Sequence, residues 1–281
     1  MNAIRKVLKT LRLLWRALKK FNDDNGFFLC SGITFNLLLC LVPLLLLLLA
    51  LLGAYLYSDR EVLNYIQHYL EDTVPALDPR ITEDLLTIIQ DRKIVGILGI
   101  VGLVWTSTWV FSSLRTALNI VFQVERGRGI LREKTIDLLM ILLAGIFLLM
   151  SMVLTSVINF FQSYRVHFFL DMAPIIRFVL KYLIPFFFTF WMSFLIYKIV
   201  PNKRIHFKTA LEAGLFASLL WEVAKQLFEW YVLHLESFSM VYGSLSTLAI
   251  FILWVYYSST ILLLGGEVAF LLDKERRKIN G

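Results

Sequence analysis

Apolar positions fall into six long blocks, roughly 30–57, 94–114, 135–161, 178–200, 211–233 and 245–272, separated by segments that hold most of the charge. A helix needs about 20 residues to cross a hydrocarbon core about 30 Å thick, so each block predicts a transmembrane helix. The first lies in an uncharged stretch from Asn25 to Ser58. That stretch is longer than a straight crossing requires, which predicts tilting or a kink at Pro43. It is also longer than the apolar region of a cleaved signal peptide, and lacks that peptide's small-residue cleavage site.

Two other segments have patterns of their own. In residues 1–24 the positions Ile4, Val7, Leu8, Leu11, Leu14, Trp15, Leu18 and Phe21 recur at helical spacing, with seven Lys and Arg between them. This predicts a basic amphipathic helix lying on the inner leaflet, with a protein-docking helix as the competing reading. Residues 59–93 carry eight acidic groups and apolar positions such as Leu63, Ile66, Leu70, Leu85 and Ile88. Two short amphipathic helices, broken near "VPALDP", are expected there on the periplasmic side. Residues 25–272 then form one six-helix membrane domain, and 273–281 a basic cytoplasmic tail.

Composition strengthens this reading: 58% of residues are hydrophobic and only 17% are charged, against about a quarter charged in soluble domains. Mean hydropathy is +0.72. The predicted class is an all-α integral membrane protein. Cys30 and Cys40 fall in one apolar run, about 15 Å apart along a helix, and so read as small buried hydrophobes rather than a disulfide. With the N-terminus inside, the cytoplasmic segments hold twenty Lys and Arg and the outer segments six. That bias puts both termini in the cytoplasm. The net charge of +7 therefore reports topology, and no nucleic-acid partner is expected because these basic patches flank lipid.

Candidate chemistry is concentrated in "LLWEVAKQLFEWY", residues 219–231. Glu222 lies near the middle of the fifth block, where an ionised side chain costs about 2.5 to 3.5 kcal/mol on insertion scales. Glu222, Lys225 and Glu229 are spaced to pair along one helical face. A pair that only cancels itself gains nothing over leucines, which leaves a wet cavity, a ligand or helix registration as its reason. Arg115, Asn119 and Glu267 are the other members of a candidate intramembrane polar path. Most of the hydroxyls of Thr106, Ser107, Thr108, Ser112 and Ser113 are expected to bond their own backbone. Gly96, Gly99 and Gly102, with Ala213, Gly214, Ala217 and Ser218, form faces for close helix contact. Ser244, with Tyr242 and Gly243 before it, is placed to cap the outer end of the last span, where free amides suit either ordinary capping or an anion.

Tyr242, Gly243, Ser244, Trp254, Gly265, Gly266 and Glu267, preceded by "VPN" at 200–202 and by Trp221, Glu222 and Lys225, together resemble the YihY/BrkB family of bacterial inner-membrane proteins. "DDNGFFLCSGITFNLLLCLVPLLLLLLALLG" and "SSLRTALNIVF" extend the resemblance over nearly the whole chain. Asn36 and Gly266 depart from the family pattern, in which an aromatic and an alanine are common. The resemblance implies six spans with both termini inside, a location in the bacterial inner membrane, and labels ranging from virulence or serum-resistance factor to exporter of lipid-like molecules. An older label, ribonuclease BN, fits the residues poorly. His68, His167, His206 and His234 are dispersed, and the chain has no P-loop, HExxH, GxSxG or CxxC. Nuclease activity is rejected, the chain is read as a non-enzyme, and no cofactor is expected. Two functions compete: a transporter or flippase-like exporter of an unknown amphipathic or anionic envelope solute, and a non-transporting scaffold for envelope assembly. Membrane lipids are the expected partners in either, and the sequence does not set an oligomeric state.

Overall fold

The computed structural model describes residues 2–56, 91–125, 129–163, 183–233 and 245–280. Within them lie seven α-helices: α1 (Asn2–Asp23), α2 (Gly26–Leu56), α3 (Arg92–Val121), α4 (Ile130–Ser163), α5 (Ile184–Ile199), α6 (Phe207–Leu233) and α7 (Leu245–Asn280). The described residues contain no strand. Three stretches, Gly26–Leu51, Lys93–Val121 and Leu248–Lys278, are long and apolar enough to cross a membrane, and α5 is a shorter apolar helix. The outer segment expected at 59–93 lies outside the described residues except for its last three, and so do Tyr242, Gly243 and Ser244. α7 runs unbroken into the basic tail as far as Asn280.

The chain clusters into two compact units. The smaller, Phe35–Trp109, takes its described residues from α2 and α3. Glycines set the contact between the two helices: a Cβ on Gly99 would lie 3.0 Å from the backbone nitrogen of Leu47, and one on Gly102 would lie 3.0 Å from Cβ of Pro43. Pro43 lies inside α2, which remains one helix through it. Large apolar side chains such as Leu45, Leu51, Ile97 and Val101 point outward, as in a helix pair facing lipid.

The larger unit, Met1–Thr34 with Val110–Gly281, packs α6 between α5 and α7 and sets α1 against α7. Small residues make the α6 contacts possible: Ala210, Ala213 and Ala217 are buried, and Gly214 lies against the backbone of Phe194 in α5. Gly265 of α7 has Tyr197 of α5 and Ala217 of α6 where a side chain would be, and Gly266 has Leu118 and Val121 of α3. Tyr197 is fully buried, and its hydroxyl donates to the carbonyl of Leu262 at 2.8 Å. Cys30 and Cys40 are both free and buried.

Two left-handed residues make the sharp turns of this unit. Asn25 (φ 54°) separates α1 from α2, a conformation its short polar side chain tolerates. Gln123 (φ 50°) ends α3: its amide reaches the carbonyl of Ile120, and the Val124 amide reaches that of Asn119 at 2.9 Å. These two bonds are a Schellman closure. It leaves the last carbonyls of α3 facing other elements, and two lysines use them.

Candidate functional site

The lysines come from far along the chain. Lys20 of α1 donates to the carbonyl of Val121 at 2.8 Å, and Lys203, in the α5–α6 connection, to that of Phe122 at 2.9 Å. Cations at a helix C-terminus satisfy unpaired carbonyls and complement the negative end of the dipole. Lys20 also lies 2.8 Å from Oε2 of Glu267 and 2.5 Å from Oδ2 of Asp24. Glu267, only 1% exposed, therefore faces an ammonium supplied by α1.

A second cluster ties α3 to α4. The Arg115 guanidinium grips Asp137 with two nitrogens, Nη1 on Oδ1 and Nη2 on Oδ2, the latter at 3.2 Å. Nη1 also donates to the carbonyl of Glu133 at 2.9 Å, and Nε lies 3.7 Å from the Glu133 carboxylate. Asn119 Oδ1 accepts the backbone amide of Asn202, whose Nδ2 donates to Oε1 of Glu133, both at 2.8 Å. Ser112, Arg115, Thr116, Asn119, Glu133 and Asn202 contribute to the lining of a cavity of about 350 Å³. A third cluster gathers round Asp273 on α7, which accepts from the amide and Nδ1 of His206 and from Nε of Arg277.

The stretch that drew attention in the sequence lies apart from these clusters. Lys225 Nζ is 2.7 Å from Oε1 of Glu222, one helical turn away on α6, so the pair closes within a single helix. Both side chains are partly exposed, and Glu229 is exposed; no ion pair joins Glu229 to Lys225 among the described residues. Neighbouring Leu219, Val223 and Leu227 are also exposed, while Trp221 and Phe228 pack on Trp254 of α7. The candidate polar path thus divides. Arg115 and Asn119 belong to the α3–α4 cluster, Glu267 joins α1, and Glu222 with Lys225 forms a pair of its own.

Sequence reasoning did not single out Lys20, Glu133, Asp137, Asn202, Tyr197 or Asp273 as site residues. Asp137 had a legible signal, a carboxylate inside the third apolar block. Lys20 had none, because it is one of seven similar cations on α1. Three of the five hydroxyls behave as expected, with Thr106, Thr108 and Ser113 donating to carbonyls three or four residues back, while Ser112 accepts from Arg115. Among the described residues, no group of three His, Cys, Asp or Glu side chains is placed to hold a metal ion.

The profile of a family described as virulence factor BrkB matches residues 17–280. A UPF0761 membrane protein of Haemophilus influenzae is 24% identical over 93% of this chain and 94% of its own length. One from Glaesserella parasuis is 29% identical over 72% of this chain and 70% of its own length. One from Chlorobium phaeobacteroides is 30% identical over 92% of this chain and 57% of its own, longer sequence. None of these names states an activity. No solved structure matches the chain.

Proposed function

The chain belongs to the virulence factor BrkB family and is an all-helical membrane protein, and from that premise we propose that it moves an amphipathic or anionic envelope solute across the bacterial inner membrane. The observation that carries this reading is the Glu222–Lys225 pair, which closes on α6 and, among the described residues, ties no helix to another. A mid-span charge costs about 2.5 to 3.5 kcal/mol on insertion scales, and a pair with no tie to make is better explained by contact with a polar substrate or water. Glu229 continues the same polar strip toward the end of α6. Arg115 and Glu267, by contrast, make ion pairs to other helices, and Asn119 bonds the backbone of Asn202 in the α5–α6 connection. That engagement favours the second reading, a non-transporting scaffold, for those three positions.

In the proposed arrangement α2, α3, α4, α5, α6 and α7 supply six spans, with both termini cytoplasmic. The twenty-to-six bias of basic residues supports it. The exposed row Leu8, Leu11, Trp15 and Leu18 on α1 fits an interfacial helix resting on lipid. Reporter fusions after Arg128 and Lys203 should score cytoplasmic, and one after Asp78 periplasmic. The opposite pattern would reject this topology.

Transport is tested with full-length protein in liposomes that carry a fluorescent phosphatidylglycerol, by quenching the dye exposed on the outer leaflet. Wild type should speed the appearance of inner-leaflet dye over protein-free liposomes. The double substitution Glu222→Gln with Lys225→Met should remove that gain while the protein keeps its fold, since no lone charge remains. Equal rates with and without wild-type protein would reject movement of lipid-like solutes and favour the scaffold.

A further inference from the structure

A basic cavity of about 320 Å³ lies between the α5–α6 connection and the last turns of α7, lined by Lys203, Lys274, Arg277 and Lys278 together with Gln123, Phe270 and Asp273. Its one carboxylate is already occupied, since Asp273 accepts from His206 and from Arg277. Lys203, Lys274 and Lys278 have no carboxylate partner within ion-pair distance among the described residues. The Phe270 ring is buried and has three ammonium groups near it, Lys20 at 4.4 Å, Lys203 at 5.4 Å and Lys274 at 5.8 Å from its centroid.

Glu267 and Asp24 match the charge of Lys20, which leaves Lys203 and Lys274 as like charges that share one ring and repel one another. A ring face attracts a cation only weakly, so it does not neutralise the group. Burial holds the Lys203 ammonium below the ordinary lysine range, and Arg277, Lys20 and Lys274 push it the same way against the opposing pull of Asp273. Lys203 is also held in place, donating to the Phe122 carbonyl at the end of α3. Natural surfaces relieve such repulsion by spreading cations apart, whereas here α3, α7 and the α5–α6 connection converge to hold them together. The cavity also lies where α7 passes from the apolar "LLLGGEVAFLL" to the charged "DKERRK", which is headgroup level for a spanning helix.

We propose that this cavity is a binding site for a phosphate-bearing anion, with Lys203, Lys274 and Lys278 supplying the charge. Its source is the headgroup of an anionic phospholipid or free phosphate, which offer the same oxygens to the same ammonium groups. The inference is independent of transport, because a scaffold would need the same site to hold lipid.

The test uses delipidated full-length protein in a neutral detergent, followed by thermal unfolding while phosphatidylglycerol, phosphatidylcholine or inorganic phosphate is added at constant ionic strength. Saturable stabilisation by phosphatidylglycerol but not by phosphatidylcholine is expected. The double substitution Lys274→Gln with Lys278→Gln removes two side chains that make no ion pair among the described residues, so the fold is retained. It should raise the half-saturating concentration roughly tenfold or more. Lys274→Arg with Lys278→Arg should keep the response, and Arg12→Gln with Arg16→Gln, on α1, should leave it unchanged. Stabilisation by inorganic phosphate with the same dependence on Lys274 and Lys278 would assign the site to free phosphate. Equal responses to the two lipids with none to phosphate, no response to any ligand, or a response indifferent to the glutamine substitutions would overturn the proposal.

Discussion

Arg115→Met is expected to destabilise the protein by about 3 to 5 kcal/mol, the loss typical when one member of a buried ion pair is removed. Arg115 is 4% exposed and Asp137 1% exposed. Without the guanidinium, the Asp137 carboxylate keeps, among the described residues, only Lys134, 3.7 Å away and half exposed to solvent. Glu133 would lose the cation at 3.7 Å and the donor to its carbonyl in the same step. Adding Asp137→Leu should recover much of the loss, because well-packed apolar residues often replace a buried pair without penalty. Thermal unfolding of the two single variants and the double variant in detergent gives the coupling between them. Additive effects, or a single-variant loss under about 1 kcal/mol, would show that the pair does not hold α3 to α4.

Lys20→Met should come next in size, at about 3 kcal/mol, since one ammonium serves three acceptors from different elements. Its removal strips Glu267 of the cation at 2.8 Å and leaves the Val121 carbonyl and Asp24 without their donor. The link from α1 to α7 then rests on weaker contacts such as Arg16 to Glu275 at 3.5 Å. Limited proteolysis should cut within α1 faster in Lys20→Met than in wild type. Pairing it with Glu267→Gln should restore most of the protection, because the buried side chain is then neutral. Cleavage of the single variant at the wild-type rate would mean that α1 is held without this ammonium.

Much of this architecture was legible in the residue pattern. The amphipathic α1, the long apolar blocks of α2, α3 and α7, and the small-residue faces at Gly99, Gly102, Ala213 and Ala217 follow from periodicity and size, which are local properties of the chain. What pattern did not carry was partnership. Arg115 was recognised as a member of a candidate polar path, but its bond to Asp137 crosses 22 residues and depends on how α3 meets α4. Lys20 shares its helix with six other Lys and Arg side chains, and only the burial of Ala17 and Phe21 beside it reveals which cation turns inward. The Glu222–Lys225 spacing was readable because both partners lie on one helix. The expected continuation from Lys225 to Glu229 does not form among the described residues: Lys225 turns to Glu222, 2.7 Å away, and Glu229 is exposed.

The paired glycines of α7 restrict how the larger unit can move. At Gly265 and Gly266 the helix meets α3, α5 and α6 with no side chain of its own in between. Sliding α7 by one turn, about 5.4 Å, would drive side chains such as Leu262 or Ala269 into slots sized for a hydrogen atom. Turning about that level displaces almost nothing there and carries both ends of the helix through the widest arc. The glycine pair therefore opposes sliding of α7 more than tilting about this level, a tilt that would displace Trp254 on one side of it and the Lys274–Lys278 turn on the other.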